Sequence, residues 1–183
     1  EDESYRAPFS GNVIELCPAG GLSVDVDVFE QAAAIARSSS DITALQRALQ
    51  LWTGSLLPED QYAEWTLEHR ERLSETNAAV ARLLGSKLLE QGEQEAALAL
   101  VEPLAAARPL DERLHRVLID VLAGLGRRWE AIEAYEQLRD ALDEAYAAEP
   151  EPQTKALHRR LLTGPQQRPE PSMRSLVGRH LEW

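Results

Sequence analysis

The sequence has little of what stabilises secreted or membrane-bound chains. Cys17 is the single cysteine among 183 residues, which excludes an intramolecular disulfide and a cysteine-rich metal site. No run of about 18 apolar residues occurs, so no segment is predicted to span a membrane. The opening residues Glu1-Asp2-Glu3 lack an initiator methionine and do not resemble a signal peptide. We therefore expect a piece of a longer protein that works in a reducing cytoplasm.

Basic residues are also scarce. The chain has 19 Lys and Arg against 31 Asp and Glu, a net charge of −12. Binding to the phosphate backbone of nucleic acid requires clustered Lys and Arg, so this chain is not predicted to grip DNA by itself. A hydrophobic share of 44% is enough for a core and excludes wholesale disorder. At about 100–200 residues per domain, the length corresponds to one domain with tails or to two small ones.

The sequence contains no constellation that is typical of an active site. No two of the four histidines are three or four residues apart, and no cysteine accompanies them, so no metal site is predicted. Gly124-Leu125-Gly126 begins like a dinucleotide fingerprint but lacks its last glycine and follows a helix. Asp25, Asp27 and Glu30 cluster where a helix starts, and acids there usually offset the helix dipole. We predict no catalytic, cofactor-binding or metal-binding residues and no enzyme activity.

The apolar residues recur at helical spacing over most of the chain. Asp41 and Asp111 are suited to cap helices at their N-termini, and Gly92 and Gly126 to end them. The pattern predicts seven helices, over residues 27–37, 41–52, 62–91, 93–107, 112–125, 127–147 and 153–162. Before them, strand-like residues 12–16 and 22–26 flank a Pro-Ala-Gly-Gly turn, which predicts a short β-like N-terminal arm.

An internal repeat defines the expected architecture. Gly92 and Gly126 are 34 residues apart, and each is followed five residues later by an alanine, Ala97 or Ala131. The same offset relates Leu84 to Leu118, Leu88 to Leu122, Leu98 to Ile132, Glu102 to Glu136, and Leu104 to Leu138. A helix–turn–helix period of 34 residues matches the tetratricopeptide pattern. The sequence thus predicts an all-α, tetratricopeptide-like right-handed helical repeat array of about seven helices, its first helical pair diverged and its last helix a cap.

Charge is unevenly distributed along the last two helices. Residues 130–151 hold eight acids and one basic residue, Arg139. This stretch is predicted either to dock a basic partner or simply to be solvated. The candidate partner face consists of Glu130, Glu133, Glu136, Asp140, Asp143 and Glu144. The last helix is basic instead, and its charge is expected to orient its packing against the acidic helix before it. Its basic residues are Lys155, His158, Arg159 and Arg160.

Three tryptophans fall at apolar helical positions: Trp52, Trp65 and Trp129. They are predicted to anchor the core, with a role as hot spots for a partner as the alternative.

Several segments, taken together and in order, resemble a known family. They are residues 24–30, 45–57, 68–73, 108–118, 126–138 and 149–162, with Arg-Pro-Leu-Asp-Glu-Arg-Leu-His and Trp-Glu-Ala-Ile-Glu-Ala-Tyr-Glu among their runs. In this order they resemble the bacterial transcriptional activator domain of the Streptomyces antibiotic regulatory protein family. One segment departs from the family pattern. Tyr146-Ala147-Ala148-Glu149-Pro150 stands where a Gly-Val-Glu-Pro-like step is usual, so we expect a different turn there, or a longer helix over 127–147.

The resemblance implies a division of the chain into three parts. Residues 1–24 would be trailing strands of, or the join to, an upstream winged-helix DNA-binding domain. Residues 25–163 would be the helical activator domain, and 164–183 a linker and the start of an ATPase domain, since Leu176-Val177-Gly178-Arg179 resembles the entry to one. DNA and ATP would then bind only through domains that lie outside this chain.

These observations lead to one functional hypothesis and one alternative. We expect a non-enzymatic protein-interaction and regulatory module of a bacterial DNA-binding transcriptional regulator. It would act through self-association, through contact with the transcription machinery, or as a relay between domains. The alternative is a generic tetratricopeptide scaffold that binds a peptide or protein in its concave groove. No cofactor and no membrane partner is expected.

Overall fold

The computed structural model describes residues 9–10, 13–14, 24–60 and 64–163, and over these residues it is an array of helices. The helices are α1 (Asp25–Ser39), α2 (Ile42–Gln50), α3 (Glu64–Glu90), α4 (Gln94–Ala107), α5 (Glu112–Gly124), α6 (Arg128–Tyr146) and α7 (Pro152–Thr163). A short 3-10 turn, Pro58–Asp60, precedes α3. All seven predicted helices are present, and the all-α class is confirmed.

The N-terminal arm contains two short antiparallel strands, β1 (Phe9–Ser10) and β2 (Val13–Ile14), with Phe9 opposite Ile14. The strand predicted over 22–26 is wrong at its end, because α1 already begins at Asp25. The carboxylate of Asp25 accepts a hydrogen bond from the backbone N–H of Val26 (2.9 Å) and so favours a helix start there. Residues 15–23 lie outside the described part of the chain.

The helices pack as stacked antiparallel pairs. Each helix from α1 to α6 packs on the next, α5 packs on α3 and α7, and α7 also packs on α6. By contrast, α4 and α6 both pack on α5 and hardly touch each other. The row α3, α5 and α7 is therefore the tighter one and forms the inner side of the array, with α4 and α6 on the outer side. The apolar core runs through all these interfaces without a break.

The 34-residue repeat is visible in the turns as well as in the core. Gly92 and Gly126 both have a positive φ, 81° and 73°. In each turn the residue after the glycine donates its N–H to a leucine carbonyl 2.9 Å away, that of Leu88 or Leu122. This is the Schellman bond that closes the end of a helix. The paired positions share their burial: Ala97 and Ala131, Leu84 and Leu118, Leu88 and Leu122, and Leu98 and Ile132 are all buried.

One polar network joins α3 to the turn between α4 and α5. Asp111 caps α5 by accepting a hydrogen bond from the N–H of Leu114 (3.0 Å), as predicted. Its other carboxylate oxygen pairs with Arg82 of α3 at 2.8 Å. Arg108, just before the turn, donates to Ser74 (2.7 Å) and to Glu75 (2.8 Å), both on α3. The side chains of Arg82 and Asp111 are largely buried, so the network fixes the angle at which the second helical pair leaves the first.

Helices approach closely at Gly85, in the C-terminal part of α3. A Cβ atom there would lie 2.6 Å from Cγ2 of Val101 on α4 and 3.2 Å from Cγ1 of Val117 on α5. The corresponding residue of the next helical pair is Ile119, which is fully buried. At this position the helices of the next pair therefore leave room for a large side chain, whereas those around Gly85 do not. Three helices meet where only a hydrogen atom fits.

We predict that Gly85→Ala destabilises the chain, although alanine is the better helix former by about 1 kcal/mol. Overpacking costs roughly 1–3 kcal/mol, and the short, stiff side chain of Val101 has no room to move away. The expected net loss in the free energy of unfolding is about 1 kcal/mol and at most about 2 kcal/mol, measured by urea denaturation. Adding Val101→Ala should relieve the clash, so the double variant should lose less than the sum of the single losses.

Gly124→Ala is the matched control for this prediction. A Cβ atom at Gly124 would approach only the flexible ends of Gln94 and Leu89, at 3.2 and 3.3 Å. This variant should be as stable as the unmodified chain or slightly more stable. Equal stabilities for Gly85→Ala and Gly124→Ala would contradict the close approach.

The turn after α6 keeps the backbone conformation that glycine favours, although it has no glycine. The helix predicted over 127–147 is confirmed to within one residue at each end, since α6 spans Arg128–Tyr146. Ala147 adopts the left-handed conformation with φ 49° and donates its N–H to the carbonyl of Asp143 at 2.8 Å. The path of the chain into Pro150 and α7 requires this reversal. Ala147 therefore adopts a left-handed conformation that is unfavourable in free energy, because its Cβ atom crowds the following carbonyl oxygen.

We predict that Ala147→Gly raises the free energy of unfolding by about 0.5–1 kcal/mol. Removing the Cβ atom relieves left-handed strain of about 1–2 kcal/mol, and the greater freedom of glycine in the unfolded chain offsets part of that gain. Thermal and urea unfolding would measure the change. Ala148→Gly, at a neighbouring residue without a positive φ, should leave the stability unchanged or lower it. The opposite ranking would rule out strain at residue 147.

Candidate protein-interaction surfaces

Helix α6 separates an apolar side from an acidic one. Its buried residues, among them Tyr135, Leu138 and Leu142, face the neighbouring helices. At 3.6 residues per turn, the six predicted acids lie within an arc of roughly 140° on the opposite side. All six are exposed: Glu130, Glu133, Glu136, Asp140, Asp143 and Glu144. The structure therefore brings them together on one solvent-facing surface, which we call the acidic face.

Two of the six acids are neutralised locally. Arg127 binds Glu130 through its guanidinium, and this hydrogen bond lowers the pKa of Glu130. Arg139 pairs with Asp140 at 2.7 Å. Within the described part of the chain, the other four acids form no ion pair. The acidic face thus presents uncompensated charge, which attracts a partner of opposite sign. Those four acids are Glu133, Glu136, Asp143 and Glu144.

The basic residues of α7 do not neutralise the acidic face. Arg160 pairs with Asp120 of α5 at 2.8 Å, and Lys155 pairs with Glu149 in the preceding turn. His158 stacks on Tyr135 of α6, with ring centroids 3.9 Å apart. The prediction that α7 packs against α6 is confirmed, but the contact lies on the apolar side of α6, at Tyr135, and contains no ion pair with the acidic face among the described residues.

Burial and pairing perturb the ionisation of several groups around α7. Burial raises the pKa of Asp120, and the nearby Arg160 partly opposes that rise. Burial lowers the pKa of His158, although Glu136 pulls it in the other direction. The hydrogen bond from Lys155 lowers the pKa of Glu149. The contacts of Arg160 with Asp120 and of His158 with Tyr135 help to hold α7 on α5 and α6.

The three tryptophans have different surroundings. Trp52 is half-buried and packs on Phe29 of α1, with ring centroids 5.3 Å apart, as a core anchor should. Trp65 and Trp129 are 69% and 72% exposed, so the prediction that they anchor the core is wrong. Both lie in the first turn of a helix, on its solvent side. Helical spacing alone did not reveal this, because a terminal residue has few neighbours to define its side.

Trp129 also belongs to the acidic face, which the sequence analysis missed. It precedes Glu133 by four residues and Glu136 by seven, the spacing of one helical stripe. That spacing was a usable signal. An exposed indole beside uncompensated carboxylates is a suitable contact for Lys or Arg, through charge and through cation–π attraction.

The acids at the start of α1 have structural roles. Asp25 contacts the backbone of its own first turn, and Glu30 pairs with Arg72 of α3. The described residues contain no group of three or more His, Cys, Asp or Glu side chains positioned to hold a metal ion. Among these same residues, no helix combines the length and apolarity needed to cross a membrane.

Comparison with known proteins agrees with the helical architecture and the resemblance. The sequence model of the family described as "Bacterial transcriptional activator domain" matches residues 24–162. The regulatory protein AfsR of Streptomyces coelicolor is 34% identical over 137 residues, which are 72% of this chain and 14% of AfsR. AfsR of Streptomyces griseus is 28% identical over 174 residues, 94% of this chain and 17% of that protein. The chain therefore spans about a sixth or less of these relatives.

A solved structure shares the fold. EmbR of Mycobacterium tuberculosis, in complex with a low-affinity phosphopeptide, superposes with a TM-score of 0.64 at 22% identity. The match covers 75% of this chain and 38% of EmbR. It confirms the tetratricopeptide-like helical fold, and the family match confirms the resemblance to the Streptomyces regulators. With a family match over most of its length, this chain belongs to the bacterial transcriptional activator domain family.

Proposed function

We propose that this chain is a non-enzymatic protein-contact module of a cytoplasmic bacterial transcription regulator, and that it binds its partner through the acidic face of α6. The observation that carries the proposal is the set of uncompensated carboxylates beside the exposed Trp129. Because the core is complete without these side chains, they are available to a partner. The partner is a basic surface on the transcription machinery, on a second copy of the regulator or on another of its domains.

The same proposal assigns DNA binding and ATP binding to domains other than this one. The deficit of basic residues in this chain fits a regulator whose DNA contacts lie in an upstream domain, joined through residues 1–24. ATP would bind in a downstream domain, and residues 164–183 would be a linker and the start of that domain. A phosphopeptide, as bound by EmbR, carries charge of the same sign as the acidic face, so we do not assign one to this surface.

The test reverses charge on the acidic face in the natural protein that contains this chain. The variant carries Glu136→Lys, Asp143→Lys and Glu144→Lys, which are exposed and unpaired among the described residues. We expect promoter activation to fall by about tenfold or more, equivalent to a loss of about 1.4 kcal/mol of contact energy. A reporter gene measures activation, and circular dichroism checks that the helical content is unchanged.

The matched control makes the same change of charge elsewhere, with Glu59→Lys, Glu64→Lys and Glu68→Lys, at exposed residues of the 3-10 turn and of α3. This variant should activate normally. Equal activation by the two variants would reject the acidic face as the contact surface. It would favour the alternative of a partner bound in the concave groove, on the inner row of helices.

A further inference from the structure

A groove opens between α4 and α6, on the outer side of the array. It has a volume of about 370 Å³. Its floor is formed by Leu118 and Leu122 of α5, and its walls include Ala106 of α4 and Ala134 of α6. The groove exists because α4 and α6 both pack on α5 without packing on each other. Small alanines on both walls keep it open.

The rim of this groove is acidic. Glu102 contributes from α4, and Glu130 and Glu133 contribute from α6. Arg127 pairs with Glu130, and this hydrogen bond raises the pKa of Arg127, with Glu102 and Glu95 adding to the effect. Glu102 and Glu133 form no ion pair within the described residues, so the rim keeps a surplus of negative charge.

The dimensions of the groove favour a helical occupant. The lining residues of α4 run from Glu102 to Ala106 and those of α6 from Glu130 to Gln137. At 1.5 Å per residue these stretches are about 6 and about 10 Å long, or one and two helical turns. The volume lies at the low end of the roughly 300–1,000 Å³ of binding pockets, which suits a few side chains rather than a whole ligand. A helix that places apolar residues at i, i+4 and i+7 presents such a set along one side.

We propose that the α4–α6 groove binds an amphipathic helix of a partner protein, with aliphatic side chains on the floor of the groove and Lys or Arg against its rim. Aliphatic side chains of the partner helix gain free energy when they are buried on the apolar floor. The surplus of carboxylates on the rim attracts Lys and Arg beside those side chains and repels Asp and Glu. This inference rests on the proposed function, because it names the partner's chemistry for a surface that shares Glu130 and Glu133 with the acidic face.

The experiment uses the complete 183-residue chain and a synthetic probe. The probe is a fluorescein-labelled helical peptide of about 18 residues, with leucines along one stripe and lysines flanking it. One control peptide replaces the lysines by glutamates, and a second replaces the leucines by serines. Fluorescence anisotropy at physiological salt gives the Kd of each peptide. We expect the leucine–lysine peptide to bind at least about tenfold more tightly than either control.

Variants that fill the groove locate the site. Ala106 and Gln137 line the groove and are exposed, so Ala106→Trp and Gln137→Trp block it without disturbing the core. Each should raise the Kd of the leucine–lysine peptide by about tenfold or more. Ala96→Trp is the matched control, at an exposed residue of α4 that does not line the groove, and should change Kd by less than about twofold. Removing rim charge with Glu102→Gln and Glu133→Gln should weaken binding and reduce its salt dependence.

Three results would overturn the groove proposal. The first is equal Kd values for Ala106→Trp and Ala96→Trp, and the second is equal binding of the leucine and serine peptides. The third is tighter peptide binding by a chain shortened after Thr163, which would make residues 164–183 the occupant.

Failure of the proposed function is a separate outcome. Normal promoter activation by Glu136→Lys, Asp143→Lys and Glu144→Lys would reject the acidic face, whereas loss of peptide binding in Ala106→Trp alone would still support the groove.

Discussion

The packing of one helical pair on the next is the interaction on which the rest of this structure depends. A single pair leaves one apolar side uncovered, so each pair is stable only against its neighbour. In this chain the helices approach closely at Gly85, where α3, α4 and α5 meet. The Schellman turns at Gly92 and Gly126 reverse the direction of the chain in the same way in both repeats. The network around Asp111 fixes the angle between the pairs. Both candidate surfaces follow from this stacking.

The acidic face and the groove are two consequences of one arrangement on the outer row. Because α6 buries its apolar side on α5 and α7, its acids must face solvent. Because α4 and α6 are held apart by α5, a gap remains between them, and some of the same acids form its rim. On the inner row, by contrast, Arg160–Asp120 joins α7 to α5, and Arg116–Glu151 joins α5 to the residue just before α7. On the outer row, four acids of α6 keep their charge without an ion pair among the described residues.

The residues that sequence analysis misread lie where a helix begins or ends. Trp65 and Trp129 fit an apolar stripe, but each stands in a first turn, where the stripe has no preceding residue to confirm it. Ala147 lacks the glycine that would mark a left-handed turn, yet the chain reverses there, because Pro150 and the packing of α7 require it. The basic residues of α7 suggested that charge holds α7 on α6, but α7 packs on the apolar side of α6, where His158 stacks on Tyr135. Local pattern is weakest where tertiary contacts determine the geometry.

The sequence by itself determined the seven helices, the 34-residue period and the family, because apolar spacing, N-caps and helix-ending glycines are local signals that follow the 3.6-residue turn. It also determined that six acids share one side of α6. Only the tertiary structure decided that four of them are unpaired, that Trp129 stands beside them, and that a groove separates α4 from α6. Ion pairing and exposure depend on which helices become neighbours. The neighbours are set by packing between residues that are distant in sequence, which a local pattern does not reveal.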